Sequence, residues 1–138
     1  MRDFAIELSH RRGELARVAS VLAQHQVTLK AGVAQAVGAR MFARFVPSDI
    51  DAARRALDMA DVRFSESEVV PVLVESRAGE LAMLSTRLAD NNVIVRAFYI
   101  TATIGNVVEL GLVVDNPDRV KRALEQTVFM SRQSTIQR

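Results

Sequence analysis

The sequence predicts an α+β protein made of two copies of one βαββαβ unit, and two observations carry that expectation. The first is a repeat: "RRGELARVASVLA" at residues 11–23 returns as "RAGELAMLSTRLA" at residues 77–89. The second is the hydrophobic pattern inside each copy. It changes from alternation to helical spacing and back, as strands and helices should when they share one core.

The repeat extends past those words. With a shift of 66, residues 11–31 match residues 77–97 at nine positions, among them Gly13/Gly79, Glu14/Glu80, Leu15/Leu81, Leu22/Leu88 and Val27/Val93. With a shift of 67 the match continues at Gly38/Gly105, Asp51/Asp118, Arg55/Arg122, Ala56/Ala123 and Leu57/Leu124. The extra residue falls in or beside a turn, where an insertion is tolerated. The expected units are residues 1–68 and 69–138.

Each unit opens on an alternating strand: Phe4, Ile6 and Leu8 in the first, Val70, Val72 and Val74 in the second. A polar loop ending at Gly13 or Gly79 leads into a helix. Leu15, Val18, Ala19 and Leu22, and then Leu81, Leu84, Ser85 and Leu88, give that helix its stripe. Asn92, just past the second of these helices, suits a left-handed cap. Val27, Leu29 and Ala31, like Val93, Val95 and Ala97, begin a second strand. Turns at Gly38 and Gly105 join it to a third, at 40–47 or 107–114.

Asp49 and Asn116 are candidate N-caps for a second helix, with Pro117 at the first helical position. Ala53, Ala56, Leu57 and Ala60, then Val120, Ala123 and Leu124, supply its buried side. A last strand is expected at about 62–68 and about 128–136. This order places both helices of a unit on one face of an antiparallel sheet, a ferredoxin-like layout with the two units side by side.

Composition narrows the function. The 138 residues hold no cysteine, which excludes disulfides, thiol catalysis and cysteine-ligated zinc. Eighteen basic and 16 acidic side chains leave a net charge of +2, with the signs interleaved, so charge alone does not suggest nucleic-acid binding. The N-terminus lacks a long apolar run, and no membrane-length stretch follows, so a cytoplasmic location is expected.

Catalysis has little support. His10 and His25 belong to no metal-ligand spacing, and Ser9 and His10 point to opposite sides of an extended segment. The glycines of "GVAQAVGAR" make no phosphate loop. Glu66, Glu68 and Glu75 read as solvated carboxylates. No enzyme, metal or cofactor is expected.

A strand, a loop ending "-x-G-E-L-A-", a helix closing on "L-A-x-x-x-V" and a second strand together resemble the ACT domain, an amino-acid-sensing module of biosynthetic regulators. The resemblance covers essentially the whole chain as two copies, and is similar to free-standing tandem ACT proteins. It implies a non-catalytic regulatory protein with an amino-acid ligand and a regulated enzyme or regulator as partner. Family ligands bind where the first loop and helix start of one copy face the second strand of its neighbour. The candidate ligand residues are then Ser9, His10, Arg11, Arg12, Gly13 and Glu14, with Thr28, and Ser76, Arg77, Ala78, Gly79 and Glu80, with Ile94. His10 and Ser76 stand where the family often has an acid or asparagine, Arg12 and Ala78 where it often has proline, and Thr28 and Ile94 where asparagine is frequent. The bland readings are that the glycines are turn residues and that Glu14 and Glu80 complement a helix dipole.

Two rivals come from other classes. An RNA-binding sheet shares the element order, and parity puts Ala5, Glu7, Thr28, Lys30, Arg40, Phe42 and Arg44 on the open face of the first unit. One aromatic is fewer than base-stacking platforms use. A structural dimerisation module without ligand is the other. In the second unit parity puts Leu73, Ile94, Phe98, Ile100, Val107 and Val113 on the open face, broken mainly by Arg96 and Glu109. A patch of that size predicts a symmetric homodimer with Leu73, Phe98, Ile100, Val107 and Val113 at its interface.

Overall fold

A computed structural model describes residues 1–125 of the chain. It divides into two compact units, Met1–Glu68 and Val69–Arg138. The first runs β1 (Arg2–Ser9), α1 (Glu14–Gln24), β2 (Leu29–Val37), β3 (Arg40–Pro47), α2 (Ile50–Met59) and β4 (Ser65–Glu68). The second runs β5 (Val70–Glu75), α3 (Glu80–Asp90), β6 (Val95–Ile104) and β7 (Val107–Val114), and then α4, described over residues 117–125. The strand expected at about 128–136 lies outside the described residues. Both units are α+β, with antiparallel sheets in the orders β2-β3-β1-β4 and, among the described residues, β5-β7-β6.

Alternation in the first strands sets the cores. Phe4, Ile6 and Leu8 are buried with Ala43 and Phe45 of β3, and the Phe4 ring stacks on Phe45 at 5.7 Å. Val70 and Val72 meet Val108, Leu110 and Leu112 in the same way. Ala52, Ala53, Ala56 and Leu57 of α2, and Val120 and Ala123 of α4, are buried as their stripes require. The expected caps form: Asp49 accepts from the Ala52 amide at 3.0 Å, and Asn116 from the Arg119 amide at 3.1 Å. Asn92 takes the left-handed conformation at φ 56, matched by Gln26 at φ 57 in the first unit. Gly38 and Gly105, each at φ 60, occupy the first place of two-residue hairpin turns, where a positive φ fits the twist of the strands.

Three expectations are corrected. On α1 and α3 the buried residues are Val18 and Leu22, and Leu84 and Leu88. Leu15, Ala19, Leu81 and Ser85 are exposed, because each helix turns its Glu14 or Glu80 side toward the sheet instead. The fourth strand begins at Ser65, not near 62; Val62 is buried below it and ends the helix connection.

The third correction concerns register. Leu29 pairs with Pro47 but Ala31 with Val46, so Lys30 is an extra residue in β2. Val95 pairs with Val114 but Ala97 with Val113, which makes Arg96 the matching extra residue in β6. A bulge reverses the side-chain alternation beyond it. Phe98 and Ile100 therefore lie opposite Leu112 and Leu110, on the helix side of the sheet, while Leu73 lies opposite Glu109 on the other side. The expected apolar patch is split between two faces, and Val113 is only 1% exposed. In β2 the same reversal puts Val33, Gln35 and Val37 opposite Arg44, Phe42 and Arg40, where parity had placed Thr28 and Lys30.

Candidate functional site

The two loops after the first strands have one backbone design. The Arg11 amide donates to the Ser9 carbonyl at 2.8 Å, and the Arg77 amide to the Glu75 carbonyl at 2.9 Å. Gly13 (φ 87) and Gly79 (φ 91) follow as N-caps in the left-handed region that favours glycine. Their carbonyls accept the first helical hydrogen bonds, from Arg17 and Met83, both at 2.9 Å. Neither helix has a side-chain cap. The amides of Leu15 and Ala16, and of Leu81 and Ala82, are thus the helix-end donors that a carboxylate can satisfy.

The side chains differ. In the first loop Glu14 is flanked by Arg17 at 3.4 Å and Arg11 at 4.0 Å. His10 and Arg12 are exposed and make no ion pair among the described residues. In the second loop Arg77 is held between Glu80 at 2.7 Å and Glu75 at 3.2 Å. The hydrogen bond to Glu80 pushes the Arg77 guanidinium further up from its ordinary range, so its charge is committed locally. The Ser76 amide also donates to the Asn106 carbonyl at 2.6 Å, fastening this loop to the hairpin turn. No matching bond holds His10 among the described residues. Cations outnumber carboxylates in the first loop, and the reverse holds in the second.

The structure gathers Ser9 to Glu14 at one helix end and Ser76 to Glu80 at another, but it does not bring Thr28 or Ile94 to the loop of its own unit. β1 runs toward its loop as β3 runs away from it, with Ser9 opposite Arg40. Thr28 sits at the other end of that sheet, its carbonyl bound by the Ser48 amide at 2.8 Å. Ile94 is pinned likewise by both the backbone and the side chain of Asp115. Arg17, the bond to Asn106 and Asp115 were not singled out from sequence. Arg17 stands at the helical spacing from Glu14 that could have flagged it.

Glu66 is not a free carboxylate. It accepts from Arg54 at 2.6 and 3.0 Å and from Arg2 at 3.2 Å, tying α2 to the sheet edge. The Arg54 hydrogen bonds, against some cost of burial, hold its carboxyl below the usual range. No group of three or more His, Asp or Glu is placed to hold a metal among the described residues. No helix among them is long and apolar enough to cross a membrane.

No family model and no curated protein matches the chain. Solved structures do. A protein from Bacteroides thetaiotaomicron aligns at TM-score 0.81 and 25% identity, over 91% of this chain and 87% of that one. The regulatory subunits of aspartate kinase from Thermus thermophilus and Thermus flavus align at TM-scores of 0.62 and 0.63. They are 15% and 17% identical, over 91% of this chain and 90% of each. The fold is ACT-like. At these identities the kinase subunits speak for the ACT-like fold alone.

Proposed function

We propose that this chain is a non-catalytic regulatory protein that binds a small amino acid at its strand-to-helix loops and reports it to a partner protein. One observation carries the reading: two uncapped helix N-termini, each behind a left-handed glycine, in an ACT-like fold. The first loop is the better site, since the amides of Leu15 and Ala16 can take the carboxylate with Arg11 and Arg12 beside them. Glu14 can then accept from the ammonium group. Ligand would shift the population of loop conformations toward the bound one, and so alter the surface offered to a partner. A thermal-shift screen of the twenty amino acids tests this. A ligand at about 100 times its Kd stabilises by about 2.7 kcal/mol, so one or a few should raise Tm clearly. A flat panel would remove the reading.

A second reading, an assembly module without ligand, is favoured by the exposure of Phe98 and Ile100 on β6, an edge strand among the described residues. Sedimentation at micromolar concentration tests it. A homodimer that Phe98→Asp dissociates without unfolding is expected, and a monomeric unmodified protein would contradict it.

A further inference from the structure

The first unit carries a groove where β1 runs past the start of β4, lined by Ala5, Glu7, Phe42 and Arg44 from the sheet face away from its helices and reaching Ile6, Ala43 and Phe64 at the edge of the core. Ala5 of β1 lies in register between Arg44 of β3 and Ser65 of β4. Two small side chains in adjacent strands leave a depression of about 420 Å³, walled by Phe42, Arg44, Glu7, Arg63 and Phe64. β4 begins at Ser65, so the strand edge beyond Ala5 has no neighbour there among the described residues and the groove opens sideways. That volume is in the lower part of the range for small-molecule sites, enough for one or two rings.

Its charges are unequally committed. Glu7 is held by Arg40 through two hydrogen bonds, at 2.7 and 2.8 Å, which keep its carboxyl below the ordinary range. Arg40 also lies over the Phe42 ring, 5.0 Å from its centre. Arg44 gives one nitrogen to Asp3 at 2.7 Å. Arg63 is exposed and makes no ion pair among the described residues. The groove therefore presents an aromatic ring, a cation with no ion pair among the described residues and a second cation that gives only one nitrogen to Asp3. Its one carboxylate is already engaged. The second unit repeats the core but has Leu73, Glu109 and Gly111 where Glu7, Phe42 and Arg44 stand, so the fold does not require this set.

We propose that this groove binds a small planar anion, a one- or two-ring aryl or heteroaryl compound bearing a single carboxylate or phosphate. The ring lies over Ala5 against Phe42, and the anion meets Arg63 and the remaining nitrogens of Arg44. A zwitterion fits less well, because the charge of Glu7, the one carboxylate on the groove, is already shared with Arg40, while the cations outnumber it. The site is separate from the loops and does not depend on the reading given for them.

Calorimetry with 2-naphthoate, adenosine monophosphate and uncharged 2-naphthamide tests it. One of the two anions should bind, and which one tells carboxylate from phosphate recognition. The amide should be weaker by about tenfold or more, and Arg63→Gln and Phe42→Leu, both at exposed positions, should each weaken the anion by about fivefold to tenfold. Neither anion binding at about 5 mM would overturn the proposal. So would affinity unchanged in both variants. A single-stranded oligoribonucleotide whose affinity rises with length and falls steeply with salt would also overturn it, and would mark this face as a nucleic-acid track.

Discussion

Arg44 donates to the Asp3 carboxylate at 2.7 Å across the first sheet, with Asp3 fully buried and the Arg44 side chain one-quarter exposed. The pair fixes the guanidinium that walls the groove. Removing one member of a buried pair costs about 3–5 kcal/mol, and the cost depends on what is left behind. Asp3→Ala leaves a cation that can reach water, whereas Arg44→Met takes a cationic partner from a fully buried carboxylate. Urea denaturation should show both variants destabilised, Arg44→Met by more.

Acid should loosen the tie between α2 and β4. The folded-state pKa of Glu66 is held down by Arg54, so the carboxylate contributes stability above its unfolded pKa and loses it as pH falls through the folded value. Melting temperature should therefore decline below about pH 4.5, the upper end of the ordinary carboxylate range. In Glu66→Gln that part of the acid decline should be missing, and the protein should be less stable at neutral pH. An identical acid limb in the variant would contradict the assignment.

Gly111 should not tolerate a methyl group. A Cβ there would lie 2.8 Å from Thr101 Cγ2 and 2.9 Å from Val69 Cγ1, closer than packed carbons approach. Overpacking of this kind costs about 1–3 kcal/mol, so Gly111→Ala should shift the urea midpoint of the second unit down. Gly105→Ala, with open space around it but a φ of 60, should cost about 1 kcal/mol through strain alone.

The element order as far as the described residues reach, the caps at Asp49 and Asn116 and the core positions of the first strands were legible because each rests on local chemistry or strict alternation. Faces past Lys30 in β2, and between Arg96 and a second extra residue at Thr101 in β6, were not, because a bulged residue reverses the side chains after it without leaving a mark in the hydrophobic pattern. The same limit hid the groove. Ala5 and Ser65 are 60 positions apart in the sequence, and only strand pairing puts two small side chains together there. At the loops the glycines were legible from the repeat. Whether Arg77 was free or held between two carboxylates was not, since that depends on rotamers as well as on spacing.

The central claim is that the glycine loops bind an amino acid, and titration calorimetry of the double variant Arg11→Gln/Arg12→Gln beside the unmodified protein tests it most directly. Both side chains are exposed, so the fold should survive. With the amino acid that raises Tm most, the unmodified protein should give a saturable isotherm, and the variant should bind about tenfold or more weakly, the loss of one to two charge-assisted contacts. Affinity undiminished in the variant, or no saturable heat from any amino acid, would contradict the account.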